Sequence, residues 1–132
     1  MAISRDEAVK LALAYTAAWN TGSPQAVAGF YAANGAIAIN SGEPWTGRAG
    51  IKDMAARFFA DVPDLFLVCD QVRCAGDHVV FLWTFKGTHS GTKNPVHVAG
   101  WEEWDLDANH KIVSSLGWFD AADYAWQVGG IS

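Results

Sequence analysis

The apolar residues of this chain change their period at Pro63, and that change limits the fold more than any motif does. Up to Pro63 they recur at the three- and four-residue spacing of a helix face. Ser4-Arg5-Asp6-Glu7 has the form of a capping box, in which the serine hydroxyl accepts from the backbone of residue 7 and the glutamate reaches back. Behind it Ala8, Leu11, Ala12, Tyr15 and Trp19 share one face, and Gly22 ends the helix. Ser23-Pro24 starts a second helix, with serine as N-cap and proline at the first helical position, and Val27, Phe30 and Tyr31 as its apolar stripe. Asn34-Gly35 reads as a turn, residues 36–39 as a short strand and residues 42–47 as a loop. A third helix carries Ile51, Met54, Ala55 and Phe58 at i, i+3, i+4 and i+7.

Beyond Pro63, residues 65–72, 79–86, 96–105 and 111–119 are rich in β-branched and aromatic side chains. Turn signals at Gly76-Asp77, residues 87–95 and Asp107-Ala108-Asn109 separate them, which predicts an antiparallel meander. Helices first and strands later give an α+β class, with three helices packed on one face of a curved sheet. At 132 residues, with no repeat or linker, residues 1–132 are expected to form a single domain.

Composition excludes several functions. A net charge of −5 argues against binding a phosphate backbone, so no nucleic-acid partner is expected. No apolar run reaches the roughly 18–20 residues of a membrane span, and the N-terminus lacks a basic stretch followed by an apolar one. A cytoplasmic protein without membrane contact is the expectation. His78, His89, His97 and His110 lack metal-ligand spacing, and no glycine-rich phosphate loop is present, so neither metal nor cofactor is expected. Cys69 and Cys74, an odd number apart, would face opposite sides of a regular strand and could not bridge. Aromatic residues make up 13% of the chain, with seven Trp, seven Phe and three Tyr, more than a minimal core needs.

The chemistry-bearing stretch is Val98-Ala99-Gly100-Trp101-Glu102-Glu103-Trp104-Asp105. Strand alternation places Val98, Gly100, Glu102 and Trp104 on one face and Trp101, Glu103 and Asp105 on the other. Glu103, of one parity with Asp105 and Asp107, reads as solvated. Glu102 is left on the apolar side, where it either pairs with an arginine or caps a loop, or is functional. A carboxylate among aromatic rings has a raised pKa and can move protons near neutral pH. Tyr15, His89 and indole N–H groups are candidate donors to an enolate oxygen. For Tyr15 the competing reading is a core residue on a helix face, and for His89 an exposed loop residue in Gly87-Thr88-His89-Ser90-Gly91. Asp120 reads first as the N-cap of a short C-terminal turn and second as a pocket contact.

Taken in order, Tyr15-Thr16-Ala17-Ala18-Trp19-Asn20-Thr21-Gly22, Phe30-Tyr31-Ala32, Trp45-Thr46-Gly47-Arg48-Ala49-Gly50-Ile51, the Gly87–Gly91 stretch and Phe119-Asp120-Ala121-Ala122-Asp123-Tyr124 resemble the nuclear transport factor two-like superfamily, and within it the SnoaL-like proteins. The resemblance implies a cone: a strongly bent mixed sheet around the helices, joined by the early strand at 36–39, with a deep pocket. It also implies that Glu102 stands where SnoaL-like polyketide cyclases carry their acid/base aspartate, and Tyr15 where ketosteroid isomerases carry an oxyanion tyrosine. The isomerase base has no counterpart, because Gly35-Ala36-Ile37-Ala38-Ile39-Asn40 holds no carboxylate. The expected activity is therefore that of a lyase, cyclase or isomerase acting on a ketone or polyketide-like molecule. Glu102, His89 and Tyr15 would be catalytic, and the apolar ligand would contact Trp19, Phe30, Asn40, Trp45, Phe58, Phe81, Trp83, Trp104, Phe119 and Asp120. The alternative is a non-catalytic ligand-binding or assembly domain, a homodimer with Trp101 and Trp118 on its outer face. Epoxide hydrolysis, also found in the superfamily, ranks low because Asp70 and Arg73 would lie on opposite strand faces.

Overall fold

Helix α1 (Arg5–Asn20) begins where its capping box puts it: Ser4 Oγ accepts from the Glu7 amide, and Glu7 Oε1 accepts from the Ser4 amide. It stops at Thr21, after which Gly22 takes the positive φ of 74° that glycine accommodates without strain. The computed structural model describes residues 2–129. Along α1, Ala8, Ala12, Tyr15 and Trp19 are buried, as their spacing requires. Ser23 caps the short α2 (Pro24–Ala28), and α3 (Gly47–Asp61) buries Ile51, Met54 and Ala55.

Six strands follow: β1 (Tyr31–Ile39), β2 (Trp45–Thr46), β3 (Phe66–Ala75), β4 (His78–Thr88), β5 (Pro95–Leu106) and β6 (Ile112–Phe119). They form one sheet in the order β2-β1-β6-β5-β4-β3. Strands β3 to β6 make the predicted meander, while β1 runs parallel to β6 and turns the whole into a mixed sheet. A fourth helix, α4 (Ala121–Gly129), replaces the expected terminal turn and lies against β5. No helix among the described residues is long and apolar enough to cross a membrane.

Three local expectations are corrected. Helix α2 ends at Ala28, so Phe30 and Tyr31 are not part of its stripe; Tyr31 opens β1, paired with Ile112. Asn34-Gly35 does not turn the chain but lies inside β1 as an irregularity. From Tyr31 to Ala36 that strand advances five residues, while β6 advances two, from Ile112 to Ser114. The 42–47 loop contains β2, which pairs with Ala36 and Ile37. In each case a long-range pairing, invisible to local periodicity, decides the conformation.

A fourth correction concerns Cys69 and Cys74. The register of β3 on β4 slips between Cys69 and Gln71, and such a bulge inverts the side-chain alternation beyond it. Leu67 and Cys69 before the slip, and Val72 and Cys74 after it, therefore all pack toward the core. Both thiols are free and half-buried. The same slip puts Asp70 and Arg73 together on the outer face, where Asp70 accepts from Thr84 Oγ1 at 2.6 Å.

Candidate active site

Strand β5 buries its even positions, Val96, Val98, Trp104 and Leu106, and Glu102 among them with 7% of its surface exposed. Register places Glu102 between Phe81 of β4 and Gly117 of β6. Four donors from four elements converge on one of its oxygens. Oε1 accepts from Ser115 Oγ at 2.9 Å, Trp104 Nε1 at 3.0 Å, Tyr15 Oη at 3.1 Å and Tyr31 Oη at 3.4 Å. Oε2 has a single long contact, Tyr15 Oη at 3.4 Å. One oxygen is thus anchored while the other is left nearly free.

The electrostatics follow from that burial. No Lys, Arg or His pairs with Glu102 among the described residues, so the expected arginine partner is absent. Desolvation raises the Glu102 pKa above its usual value, and the hydrogen bonds from Trp104, Ser115, Tyr15 and Tyr31 oppose the rise. The hydroxyls of Tyr15 and Tyr31, 3.0 Å apart, are pushed well above the ordinary tyrosine range, first by burial and then by the Glu102 charge. They remain protonated donors. Tyr15→Phe should raise the Glu102 pKa further, since a bond that favours the ionised form is lost, and should destabilise the protein by about 1–3 kcal/mol. Carboxyl NMR titration and denaturant unfolding measure the two effects.

Glu102 lines a cleft between α1, α3 and the inner face of the sheet, and among the described residues it is the one ionisable side chain there. The cavity volume is about 50 Å³. The space is narrow. Of the residues named as ligand contacts, Trp19, Phe58, Trp83 and Phe119 line it.

The other expected contacts lie elsewhere. Phe30 packs edge-on against Tyr15, and Phe81 and Trp104 are fully buried in the layer behind Glu102. Trp45 lies under the Arg57 guanidinium. Asn40 Oδ1 accepts from the Phe119 amide. Asp120 caps α4 by accepting from the Asp123 amide, as its first reading required, and is exposed. His89 is not near Glu102: its Nδ1 accepts from the Gly91 and Thr92 amides and ties the β4–β5 loop together. Tyr15 reaches Glu102 but does not line the cleft.

Sequence reasoning missed Tyr31 and Ser115, the other two hydroxyls on Glu102, and the cleft residues Ile37, Ile39, Met54, Leu65, Leu67, Phe85, Gly117 and Trp118. Alternation along β6 carried a signal for Ser115 and Gly117, both buried. Nothing local marked Tyr31, whose spacing from Val27 imitates a helix.

A family model described as the SnoaL-like domain matches residues 12–115. A search of curated proteins finds no match. Among solved structures, a protein of ketosteroid isomerase-like fold from Catenulispora acidiphila DSM 44928, in complex with trimethylamine, is 25% identical, with a TM-score of 0.83 over 91% of this chain and 92% of that one. A candidate SnoaL-like polyketide cyclase from Jannaschia sp. CCS1 is 16% identical, with a TM-score of 0.84 over 100% and 99% of the two chains. SalBIII, an epoxide hydrolase/cyclase-like enzyme in pyran ring formation in the polyether salinomycin, is 14% identical, with a TM-score of 0.80 over 91% and 95%. The last two share the fold.

Proposed function

Because the chain belongs to the SnoaL-like domain family, we propose that it is a cofactor-independent acid/base enzyme acting on an apolar ketone, with Glu102 moving the proton. One observation carries the reading: a buried carboxylate in a narrow apolar cleft has its Oε1 held by four donors and its Oε2 nearly free. As carboxylate, Oε2 takes a proton from the carbon next to the ligand's carbonyl, and the C–H electron pair moves into the enolate. As carboxylic acid, it returns the proton to another carbon or to the oxygen. Returning it to a different carbon is isomerisation; attack of the enolate on a second carbonyl, followed by protonation of the new alkoxide, is aldol cyclisation.

Tyr15 serves this reading as a positioning residue, since its hydroxyl is engaged by Glu102 and Tyr31. His89 has no part in it. Epoxide opening through Asp70 and Arg73 is not supported, because both face away from the cleft. The test is deuterium exchange at the α-carbon of 1-tetralone in D₂O, followed by proton NMR. Exchange accelerated by the wild type and not by Glu102→Gln supports the proposal. Binding without exchange favours the non-catalytic reading.

An assembly role on the opposite face is a second, compatible reading. Register lays Trp118, Trp101 and Leu82 side by side across three strands on the outer surface, with Leu116 and Trp118 about half exposed at 47% and 46%. Apolar surface of this kind fits pairing with a second copy of the chain. Light scattering should give the mass of a dimer for the wild type and of a single chain for Trp118→Glu. A wild-type mass of one chain defeats the reading.

A further inference from the structure

The hydroxyl that Tyr31 turns to Glu102 is held from its backbone side by a residue outside the cleft. Strand β1 is bordered by β6 along one side and, on the other, by the two-residue β2, which reaches only Ala36 and Ile37. The Ile112 amide of β6 donates to the Phe30 carbonyl. Carbonyls alternate in direction along a strand, so that of Tyr31 points the other way, to an edge that β2 does not cover. Tyr31 has no exposed surface, and a buried carbonyl needs a donor. Arg48 supplies it: its Nε donates to the Tyr31 oxygen at 2.9 Å. The local fold brings the two together. Antiparallel pairing of β2 on Ile37 and Ala36 carries the chain back toward Tyr31, Gly47 turns it into α3 with a φ of 70°, and Arg48 follows at once. Gly35 also closes on Tyr31: a Cβ there would stand 3.3 Å from the Tyr31 Cβ and 2.6 Å from the Ile112 carbonyl oxygen.

We infer that Arg48 is a positioning residue for Glu102, fixing the Tyr31 backbone at the open edge of β1 and thereby the hydroxyl that Tyr31 presents to Oε1. This rests on Glu102 being the base proposed above. Tyr31 is a junction: its Oη stands 3.4 Å from Glu102 Oε1 and 3.0 Å from the Tyr15 hydroxyl, which itself donates to Oε1 at 3.1 Å. A shift of its backbone therefore loosens two of the four bonds on the anchored oxygen. Those bonds favour the ionised carboxylate, so loosening them raises the Glu102 pKa. Among the described residues, Tyr15 from α1 and Tyr31 from β1 are the titratable groups that face it. The other packed elements offer Met54 and Phe58 of α3, Phe81 of β4, and Ser115 and Gly117 of β6. Arg48 does not line the cleft, so its route to the carboxylate runs through Tyr31.

Arg48→Met and Arg48→Gln separate the hydrogen bond from the charge. Methionine places a methyl where Nε stands and glutamine an NH₂ donor, and both lack the guanidinium charge. In Arg48→Met the Glu102 carboxyl, followed by NMR, should titrate at a higher pH than in the wild type. Exchange of 1-tetralone below that midpoint should fall roughly 3- to 10-fold with KM unchanged. Arg48→Gln should keep the wild-type midpoint and profile. In a Tyr31→Phe background, Arg48→Met should move the Glu102 midpoint no further, because the hydroxyl that carries the effect is gone. If Arg48→Met does not fold, Arg48→Ala replaces it, and its raised midpoint should return on addition of methylguanidinium. An unmoved midpoint in the donor-less variant, an equal rise in Arg48→Gln, or a rise that persists in Tyr31→Phe would overturn the inference. A wild type that exchanges nothing overturns Glu102 as the base and any bearing of Arg48 on catalysis. An exchanging wild type whose profile Arg48→Met leaves in place overturns the role of Arg48 alone.

Discussion

The Glu102→Gln protein is expected to fold normally and to lose about 10²–10⁴-fold in catalysed proton exchange, the range a positioned acid/base group contributes. The carboxamide keeps an oxygen for the four donors now on Oε1, from Ser115, Trp104, Tyr15 and Tyr31. It puts an NH₂ where Oε2 stands, and that group neither takes a proton from carbon nor returns one. Stability should not fall with activity. The Glu102 pKa is raised by burial, so the folded state binds this proton more tightly than the unfolded chain does. The stabilisation is complete below the unfolded pKa of about 4.3 and is lost as pH rises through the folded value. Above that value the wild type bears the cost of a buried charge, from which the glutamine variant is free. Denaturant unfolding across that window should therefore show a pH slope in the wild type that is reduced in Glu102→Gln. The exchange rate of the wild type should rise with pH through the folded pKa, because the carboxylate is the base. A variant that unfolds, or one that keeps full exchange, contradicts the assignment.

Gly100→Ala should be the most damaging small substitution on β5. A Cβ at that position would meet the Trp83 ring at 2.5 and 2.6 Å and collide with the Trp118 carbonyl across the β5–β6 ladder. The carbonyl belongs to a paired strand and cannot swing away; the indole can move only by giving up its packing on Phe85 and Phe119. Overpacking of this kind costs about 1–3 kcal/mol. Because the Trp83 ring is a wall of the cleft, 1-tetralone should bind at least about 10-fold more weakly, equivalent to 1.4 kcal/mol. Gly129→Ala is the control: nothing among the described residues stands within 4 Å of a Cβ there, and neither stability nor binding should fall. Normal ligand affinity in Gly100→Ala would mean that Trp83 does not shape the cleft.

Glu102 was legible because alternation along a strand is a local property. Once residues 96–105 read as strand, the parity of Val98 and Trp104 places Glu102 inward without knowledge of any other element. The capping box, the proline start of α2 and the Asp120 cap were legible for the same reason, each involving groups three residues apart. Tyr31 was not, because Val27-to-Tyr31 spacing is helical and only the pairing of Tyr31 with Ile112 turns it to Glu102. Cys69 and Cys74 were assigned to opposite faces by a parity that holds only in a regular strand, and the bulge between them reverses it. Asn40, Trp45 and Phe81 were chosen as ligand contacts by residue type, which does not distinguish a cleft wall from the core behind it or the surface above it.

By itself, then, the sequence determined helices α1 and α3 and the four strands after Pro63, that the class is α+β, and that one carboxylate must turn toward an apolar interior. These follow from propensity, capping and periodicity over a few residues. Tertiary structure alone decided that β1 joins β6 in parallel, that three hydroxyls and an indole converge on a single oxygen of Glu102, and that Trp19 and Trp83 come together in one cleft wall. Tyr15 and Glu102 are separated by 87 positions and Tyr31 and Glu102 by 71. Distances across that much chain are set by how sheet and helices close on one another, which no local period encodes.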